Sequence, residues 1–504
     1  MDTAMITVNG ETMQVKIGTL LSDLGTGQLV GRPCAGRGVC GKCKIRAAGE
    51  LSPLSGTEKE KLSVDEIKSG VRLACQARVL GPCEVRTIPE SGQNVLLGGI
   101  TRKTDSDPAY ENSGIAVDVG TTTIAARLLD KNGEVTAEAG GKNPQSSFGA
   151  DVVSRMEAAL GGRAEVLSEA VLRAIDGICV DLCKKAGKDP LAVDALVITG
   201  NTSMLYLLTK TSPEWLSHAP FLMERGFGEE TRAKDLGLAA LSPEARVYLP
   251  PCISAFVGAD TVCAILASGM LDSGRAEMLA DIGTNGEMAL FDGNILRVCS
   301  TAAGPAFEGV GISMGMCCEA GAIDRVSLVN GQPFAHVIGG VQPAGICGSG
   351  LIDAIACFLD NETIDETGLS DGASLTVSAP VRISDRDVRA VQVAKSAISS
   401  GLLSLLHAAK ISENDVSALS LAGGFGTSLR IRSAVRIGLL PAGLANKAKS
   451  IGNAALAGAS MLLLDRKLRD TAEKIASSAE TLSLSTDPFF SKKFIEEMLF
   501  PEAE

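Results

Sequence analysis

The chain has 504 residues, which is enough for several domains, and 45% of them are apolar, so it can build sizeable cores and is not a disordered chain. Aromatic residues make up only 3%, which argues against a protein that binds nucleic acid by stacking bases on aromatic rings. The net charge of −12 argues against DNA or an anionic membrane as the main partner. A soluble partner or a small ligand is therefore expected.

The first segment of the chain has the pattern of a small β-rich domain. An apolar run that ends at Val8 is followed by Asn9-Gly10 and then by alternating apolar and polar residues up to Ile17, which predicts a hairpin with a tight turn. A short helix is predicted from about Thr19 to Leu24. Near residue 90 this segment gives way to a stretch rich in Gly, Ser, Asp, Asn and Pro, which predicts a linker.

The ends and the apolar runs of the chain predict its compartment. The first ten residues, MDTAMITVNG, have neither the basic start nor the apolar core of a signal peptide, and the longest weakly polar run, 451–464, is too short to span a bilayer. We therefore expect a cytoplasmic protein without a membrane partner. Thiols stay reduced in the cytoplasm, so the 14 cysteines predict metal ligands or buried thiols and not a disulfide framework.

Four cysteines of the first segment have the spacing of a metal site. Cys34, Cys40 and Cys43 form the pattern C-x5-C-x2-C on a Gly-rich loop, and Cys75 follows later in Arg-Leu-Ala-Cys. Three ligands on one loop with a distant fourth are typical of a [2Fe–2S] cluster, whereas a zinc site usually draws on two separated C-x2-C pairs. The glycines of the loop let backbone N–H groups approach the cluster sulfides.

This spacing resembles that of the [2Fe–2S] ferredoxins, and the gap of five residues is closer to the adrenodoxin-like than to the plant-type pattern. The resemblance covers the first segment and implies a β-grasp fold whose cluster is held by Cys34, Cys40, Cys43 and Cys75. A structural zinc or unliganded core thiols are the alternatives. Cys83 competes for the fourth ligand position, but it lacks the Arg-Leu-x-Cys context.

Two turns of the same composition lie far apart in the rest of the chain. Asp118-Val-Gly-Thr and Asp281-Ile-Gly-Thr each end an apolar strand and continue into a second one. Two further buried-looking strands, Ala195–Gly200 and Leu419–Ala422, also end in turns of small residues. This duplication predicts two similar α/β lobes, with an insertion that enlarges the second. Helices are predicted over 149–175, 257–271, 349–360 and 386–410.

A strand–turn–strand unit with Gly and Thr at its tip can place backbone N–H groups and hydroxyls around a phosphate chain, while the Asp at the strand end faces the metal. The chain has no Walker A motif, so it is not a P-loop enzyme. The two turns, together with Leu-Ala-Gly-Gly-Phe-Gly at 421–426, resemble the actin, sugar-kinase and heat-shock-chaperone ATPase superfamily. The resemblance implies an actin-like (RNase H-like) ATPase whose two lobes grip one nucleotide.

This resemblance also implies roles for single residues. Asp118 and Asp281 would organise Mg²⁺ and the attacking water. The residues implied to contact the nucleotide are Gly120, Thr121, Thr122, Gly283, Thr284, Asn285, Gly423, Gly424 and Gly426. Glu287 departs from the superfamily pattern and its role is left open, while Glu308 is predicted either to reach the nucleotide or to cap a helix. The remaining cysteines, including Cys317-Cys318, are interpreted as core or surface thiols, and the three histidines as structural.

An iron–sulfur domain and a two-lobed ATPase on one polypeptide predict that ATP hydrolysis is coupled to a difficult electron transfer. The combination and its order resemble the reductive activators of corrinoid proteins. The resemblance implies ATP-dependent reduction of cob(II)alamin to cob(I)alamin on a corrinoid protein of an anaerobic methyl-transfer system, with MgATP as nucleotide and reduced ferredoxin or flavodoxin as electron donor. No nucleic-acid partner is expected, and a homodimer is left open.

Two other functions stay open at this point. One is an ATP-coupled electron donor of the dehydratase-activator type, against which the four cysteines argue, and the other is a redox-sensing chaperone driven by ATP. The predicted architecture of this chain has five parts. Its boundaries are a ferredoxin-like domain at 1–90, a linker at 91–113, a first ATPase lobe at 114–250, a second lobe at 251–470 and a C-terminal extension at 471–504.

Overall fold

The computed structural model describes residues 3–24, 38, 41, 43–88, 97–99, 107–149, 151–370, 372, 374–426 and 428–502. These residues divide into two compact units. The first unit is drawn from 1–91, 142–174 and 206–221, and the second from 92–141, 175–205 and 222–504. The predicted domain boundaries stay predictions. Within the described ranges, no helix combines the length and the apolar content needed to cross a bilayer.

The first unit contains a five-stranded mixed sheet. The elements that build it and cover it are β1 Thr3–Val8, β2 Glu11–Lys16, β3 Lys44–Leu51, α1 Gly56–Lys61, α2 Val64–Lys68, β4 Val71–Leu73 and β5 Val79–Thr87. The sheet order is β2-β1-β5-β3-β4, with β1 parallel to β5. The predicted hairpin is confirmed, since β1 and β2 are antiparallel and both Asn9 and Gly10 have the positive φ that its tight turn requires. The predicted short helix is one 3₁₀ turn at Leu21–Asp23.

A six-stranded sheet carries the first phosphate turn. Its elements and those inserted between them are β6 Ser113–Val119, β7 Thr123–Asp130, β8 Val135–Lys142, α3 Val152–Ala158, α4 Ala164–Ala186, β9 Ala195–Gly200, α5 Thr202–Leu208, α6 Glu214–Ser217, β10 Glu229–Arg232, α7 Ala233–Leu236 and β11 Arg246–Leu249. The sheet order is β10-β11-β9-β6-β7-β8. The predicted helix at 149–175 is α3 and the start of α4, joined by a π-helical turn in which Gly161 and Gly162 leave the helical conformation.

A second six-stranded sheet carries the other phosphate turn. The elements of this part of the chain are α8 Ala259–Ser268, β12 Glu277–Ile282, β13 Gly286–Phe291, β14 Leu296–Thr301, β15 Ala322–Val329, β16 Gln332–Val337, β17 Gly345–Ile346, α9 Gly348–Asp360, β18 Thr376–Ser378, β19 Val381–Arg382, α10 Asp385–Ala409, β20 Ala418–Ala422, α11 Gly423–Gly426, α12 Ile431–Arg436, β21 Ala448–Gly452, α13 Ala454–Leu464, α14 Leu468–Ser478, β22 Glu480–Thr481 and α15 Pro488–Glu496. The sheet order is β21-β20-β12-β13-β14-β22. The predicted helices at 257–271, 349–360 and 386–410 correspond to α8, α9 and α10.

Five neighbouring strands of each six-stranded sheet have the same order, β11-β9-β6-β7-β8 in one and β21-β20-β12-β13-β14 in the other, which confirms the predicted duplication. In each, the strand that leads into the phosphate turn pairs antiparallel with the next strand and parallel with a later one, as β6 does with β7 and β9, and β12 with β13 and β20. The small sheets β16-β15-β17 and β18-β19 lie in sequence between β14 and α10. They form the insertion that enlarges the second lobe.

The helices α8 and α13 pack closely within the second unit. Gly458 on α13 lies against the backbone of Cys263 on α8 and leaves no room for a Cβ. Both helices are almost wholly buried and join one apolar cluster with strand residues such as Ala116 and Leu279. The small residues of α8 therefore allow close helix packing.

Candidate functional sites: a thiol pair and a nucleotide site

Two of the four predicted cluster cysteines come together in the first unit. The Sγ atoms of Cys43 and Cys75 are 3.3 Å apart, and both side chains are buried. Cys43 directly precedes β3 and Cys75 follows β4, and these strands pair antiparallel, so the sheet itself brings the two thiols together. Cys34 and Cys40 lie outside the described residues, and the assignment of all four as ligands stays a prediction.

The electrostatics around these cysteines favour Cys75 over Cys83 as a ligand. The pKa of Cys75 is lowered to about 6, chiefly by a hydrogen bond from the Cys43 thiol and further by the Gln76 side chain and the Gly38 backbone N–H. Cys83 lies in β5, where burial raises its pKa. Because iron–sulfur clusters are bound by thiolates, the surroundings of Cys75 fit a ligand and those of Cys83 do not.

A buried ion pair fixes the segment that presents Cys75. Arg72 donates hydrogen bonds to both carboxylate oxygens of Glu58, at 2.8 and 3.0 Å, and the Leu73 N–H donates to the same carboxylate at 3.0 Å. Burial alone would raise the pKa of Glu58, but the bonds from Arg72, Ser55 and Leu73 outweigh it and hold the pKa below its ordinary value. The Arg and Leu of Arg-Leu-x-Cys therefore anchor the strand that leads to the cysteine.

The described part of this thiol site fits an iron–sulfur cluster. Two buried thiols face each other, and the Gly38 N–H points at one of the sulfurs, which is the kind of donor that cluster sulfurs accept. Gly38 and Gly41 have φ values of 78° and 65°, a backbone conformation that favours glycine. In the described residues no group of three or more Cys, His, Asp or Glu is arranged to hold a metal.

Both predicted phosphate turns form as strand–turn–strand units. The Gly120 N–H donates to the Thr123 carbonyl oxygen at 2.9 Å, and the Gly283 N–H donates to the Asn285 carbonyl oxygen, also at 2.9 Å. The first turn joins β6 to β7 and the second joins β12 to β13. In both turns the glycine N–H is bonded to a carbonyl oxygen of the same turn, three residues later in the first turn and two residues later in the second.

Glu308 links the two turns. Its Oε2 accepts a hydrogen bond from the Thr122 hydroxyl at 3.2 Å, and its Oε1 accepts one from the Thr284 hydroxyl at 2.6 Å. Glu308 is the last residue of a 3₁₀ turn, Pro305–Glu308, and caps no helix there. Of the two roles predicted for Glu308, helix capping is wrong, and the side chain reaches the turns predicted to bind phosphate.

Four carboxylates interact next to the turns: Asp118 on β6, Asp260 at the start of α8, Asp281 on β12 and its cross-strand neighbour Glu287 on β13. Burial raises the pKa of Asp118 to about 6 and those of Asp260 and Asp281 to about 7, and it raises that of Glu287 well above its usual range. Repulsion among the carboxylates adds to the shifts of the last three. None of the four is in an ion pair with a described residue, so the negative charge has no counterion there.

Two asparagines at helix starts contact the same region. The Asn453 Nδ2 donates to Asp118 Oδ2 at 2.9 Å, and the Asn201 Nδ2 donates to the Thr121 hydroxyl at 3.1 Å. Each asparagine also accepts a backbone N–H of the helix that follows it, at 2.8 and 2.9 Å. The helix starts therefore fix the orientation of both amides toward the first turn.

The glycine motif predicted for adenosine begins beside the second turn. The strands β20 and β12 are parallel and align Ala422 with Asp281. Gly423 has a φ of 87°, and a Cβ there would lie 2.5 Å from Asp281 Oδ1, so the close approach requires glycine. Gly424 and Gly426 lie in the short helix α11, and contact of these glycines with adenosine stays a prediction.

Asp260, Asn201 and Asn453 are absent from the site residues that the sequence predicts. The one signal in the sequence was Gly258, two residues before Asp260. A Cβ on Gly258 would lie 2.5 Å from the Asn201 Cα, so glycine is needed where the start of α8 meets the end of β9. The contact of Asn453 with Asp118 joins residues 335 positions apart, and no local pattern marks it.

Three protein-family models match the chain in the order of these sites. A 2Fe-2S iron-sulfur cluster binding domain matches residues 6–80, the RACo middle region matches 113–273, and the C-terminal domain of RACo, the ASKHA domain, matches 275–504. The ASKHA class is the actin-like superfamily of ATPases that the two turns indicate. The predicted fold, an iron–sulfur ferredoxin-like domain followed by a duplicated actin-like ATPase, is thereby confirmed.

Known proteins resemble the chain over most of its length. The corrinoid activation enzyme RamQ of Eubacterium limosum is 32% identical over 441 residues, which are 81% of this chain and 73% of that protein. The [Co(II) methylated amine-specific corrinoid protein] reductase of Methanosarcina barkeri is 27% identical and the match covers 77% of each chain. The solved structure of a reductive activator for corrinoid, iron-sulfur protein superposes with a TM-score of 0.73 at 26% identity and 99% coverage of both chains. The chain belongs to the family of reductive activators of corrinoid proteins.

Proposed function

We propose that this protein uses ATP to reduce the Co(II) of a corrinoid protein to Co(I), the state that accepts methyl groups. The observation that carries the proposal is the presence, on one chain, of the Cys43–Cys75 thiol pair and of two matching phosphate turns. An electron-transfer site needs no ATP when its electron runs downhill, so the two together indicate an uphill reduction. The relatives named as a corrinoid activation enzyme and a corrinoid protein reductase support cobalt as the acceptor.

The first unit is proposed to deliver the electron. Cys34, Cys40, Cys43 and Cys75 would hold a [2Fe–2S] cluster, which when bound accepts and donates one electron at a time. The chain contributes two buried thiols and a strand anchored by a buried ion pair, and the hydrogen bonds from the Cys43 thiol, the Gln76 side chain and the Gly38 backbone N–H favour the thiolate form of Cys75. A donor of single electrons, reduced ferredoxin or flavodoxin, matches such a site, and the cytoplasm is the compartment that keeps its thiols reduced.

The second unit is proposed to bind MgATP. The hydroxyls of Thr121, Thr122 and Thr284 and the backbone of both turns would surround the phosphates. Asp118 and Asp281 would hold Mg²⁺ through its waters, because Mg²⁺ keeps several waters and phosphate ligands and does not need a cage of protein groups. This arrangement agrees with the described residues, which offer no group of three direct ligands but do offer carboxylates without counterions.

Glu308 is proposed to couple nucleotide binding to a change in the conformation of a loop. Its carboxylate accepts hydrogen bonds from the hydroxyls of Thr122 and Thr284, which are proposed to donate to phosphate. A phosphate and a carboxylate compete for the same donors, so binding of ATP would release Glu308 and the loop that follows it. A ligand changes a conformation only through such a difference in contacts, and this exchange is one that hydrolysis can reverse.

The test uses the full-length protein, a corrinoid protein in the Co(II) state, a reductant and MgATP. The Co(I) absorption band should appear only with ATP. Asp281→Asn should keep its cluster spectrum but lose both ATP hydrolysis and Co(I), whereas Cys75→Ser should hydrolyse ATP and form no Co(I). Cys83→Ser is the matched cysteine control and should both hydrolyse ATP and form Co(I). Co(I) formed at the parental rate by Cys75→Ser would reject electron transfer and favour the chaperone alternative.

A further inference from the structure

A second pair of thiols lies in the second unit. Cys318 donates its thiol hydrogen to Cys347, and the Ser349 hydroxyl lies 3.4 Å from the Cys347 sulfur. Cys347 is only 1% exposed, whereas Cys318 is half-buried, so solvent reaches one member of the pair. Neither residue belongs to the nucleotide site described above.

The backbone holds these two cysteines together. Gly315 and Ile346 form a parallel bridge, the Met316 N–H donates to the Ile346 carbonyl oxygen at 3.0 Å, and the Ile346 N–H donates to the Met314 carbonyl oxygen at 2.9 Å. Cys347 follows this bridge on one segment and Cys318 follows it on the other. Their proximity is therefore a property of the fold and does not depend on one side-chain rotamer.

The chemistry of the pair is that of a thiolate beside a thiol. The pKa of Cys347 is lowered to about 6, mostly by the hydrogen bond from Cys318 and further by the Ser349 hydroxyl and the N–H groups of Gly350 and Ser349 at the start of α9. The same contact raises the pKa of Cys318, since its proton is the one shared. A thiolate next to a second thiol is the arrangement found in cysteines that respond to oxidants.

We propose that Cys318 and Cys347 form a reversible disulfide with hydrogen peroxide as oxidant and that this bond slows ATP hydrolysis. The Cys318 sulfur, which solvent reaches, passes its proton to the Cys347 thiolate, attacks one peroxide oxygen and becomes a sulfenic acid, and the hydroxide released takes a proton from solvent. The Cys347 sulfur then attacks the Cys318 sulfur, and the sulfenic oxygen leaves as water with the proton that Cys347 received. The two sulfurs lose two electrons, the peroxide gains two, and the products are one disulfide and two waters.

The loop from Glu308 to Cys318 connects the disulfide to the nucleotide site. Gly309 packs so closely on Met316 that a Cβ on Gly309 would lie 2.9 Å from the Met316 N, so the two ends of the loop are in direct contact. A bond from Cys318 to Cys347 would hold Glu308 on the two threonine hydroxyls of the phosphate turns. This part of the proposal rests on the proposed function of those turns.

The test oxidises the anaerobic full-length protein with hydrogen peroxide, blocks the remaining thiols and maps peptides by mass spectrometry. We expect a peptide pair joined through Cys318 and Cys347, and a rate of ATP hydrolysis reduced about five-fold or more, both reversed by dithiothreitol. Cys318→Ser should form no bond and lose little activity to peroxide. Cys357→Ser removes another thiol of α9 and should behave like the parent. Peroxide damage to the cluster is common to all variants, so it does not imitate this difference.

Two outcomes would overturn the proposal: no joined peptide in the oxidised parent, or a joined peptide with an unchanged rate. Should Cys318→Ser fold poorly, Cys347→Ala gives the same comparison from the other side of the pair. A reduced parent that hydrolyses no ATP would instead reject the proposed function of the turns. Peptide mapping would still decide whether the bond forms.

Discussion

The carboxylates of the two units differ in their counterions and in the direction in which their pKa values are shifted. Glu58 of the first unit is 0% exposed, is paired with Arg72, and has a pKa below its ordinary value. Asp118, Asp260 and Asp281 of the second unit have no ion pair with a described residue, and burial raises the pKa of Asp118 to about 6 and of the other two to about 7. Glu58 is fully buried and the three aspartates are half-buried, but among the described residues only Glu58 has a counterion.

The difference separates a carboxylate that stabilises the fold from carboxylates that are proposed to bind MgATP. A desolvated charge is tolerated when its hydrogen bonds and its counterion are both present, as they are for Glu58. A cluster of like-charged acids without counterions costs stability, and such clusters concentrate at functional sites. The proposed Mg²⁺ would supply the missing positive charge. The presence or absence of a counterion therefore indicates whether a carboxylate with little access to water has a structural or a ligand-binding role.

The largest expected effect comes from breaking the ion pair between Glu58 and Arg72. Arg72→Met leaves the Glu58 charge without its cation and should destabilise the first unit by about 3–5 kcal/mol. The measurement is hydrogen exchange of the peptides that contain β3 to β5, together with the iron content of the purified protein. The double variant Glu58→Met/Arg72→Met removes both charges and should recover much of the loss.

Arg78→Met is the matched control for Arg72→Met. The Arg78 side chain lies in an exposed setting and donates to the Gly18 carbonyl oxygen, so its loss should cost less than about 1 kcal/mol. If Arg72→Met exchanges no faster than Arg78→Met, the pair does not hold the strand that leads to Cys75.

The next effect comes from removing one carboxylate of the incomplete cluster. Asp281→Asn should lower the rate of ATP hydrolysis by about 10²–10³-fold, because an electrostatic contact to the reacting groups is lost. The same variant should raise the melting temperature of the ligand-free protein, because it removes one of several repelling charges. Activity and stability are thus expected to move in opposite directions.

Asp292→Asn is the control within the same hairpin. Asp292 follows β13 and forms an ion pair with Arg297 of β14, away from the turn after Asp281. The Asp292→Asn variant should lose stability and keep its rate of ATP hydrolysis. A fall in the melting temperature of Asp281→Asn as large as that of Asp292→Asn would place Asp281 among the structural carboxylates.

Removal of Mg²⁺ and nucleotide should affect only the unit with the incomplete cluster. A ligand at one hundred times its dissociation constant stabilises the state that binds it by about 2.7 kcal/mol. We expect MgADP to protect the peptides of β6 and β12 from hydrogen exchange, and EDTA to remove that protection. Protection of β3 to β5 should stay unchanged. Equal protection of Asp281→Asn by MgADP would contradict the proposed metal site.

The sequence could predict the parts of these sites that lie close together along the chain. The turns after Asp118 and Asp281 and the spacing of Cys34, Cys40 and Cys43 are local patterns, and the pairing of Cys43 with Cys75 follows from a short antiparallel sheet. The counterions, or their absence, are properties of the folded chain. No local pattern shows that Glu58 meets Arg72.

The same limit explains the residues that the sequence did not reveal. Asp260 lies at the start of α8 and interacts with the other carboxylates of the cluster. Asn453 donates a hydrogen bond to Asp118 although the two residues are 335 positions apart in the sequence. Glu308 is visible as an acidic residue in a Gly-rich turn, but its two threonine donors come from segments that are 186 and 24 residues away. Contacts between distant segments decide each of these roles.

The smallest expected effect is a difference in the sign of the pH dependence of the two units in Mg²⁺-free protein. The lowered pKa of Glu58 means that its contribution to stability is complete above its unfolded pKa of about 4.3 and is lost as the pH falls through its lower folded pKa. The raised pKa values of Asp260 and Asp281, both about 7, mean that the native second unit binds more protons than the unfolded chain between about pH 4 and pH 7. Its stability should therefore fall as the pH rises through that window.

The difference is measured as the urea concentration that unfolds half of each unit, at about pH 5 and at about pH 7.5. Limited proteolysis with identification of the fragments by mass follows the unfolding of each unit separately. The second unit should have the higher midpoint at the lower pH, because its carboxylates are then protonated and repel each other less. The first unit should show no such gain. Asp260→Asn should flatten the dependence, since it removes one of the coupled acids, and MgADP should flatten it as well, since a bound cation holds the carboxylates ionised. A second unit that is more stable at the higher pH without Mg²⁺ would mean that these carboxylates already have counterions, and the contrast with Glu58 would disappear.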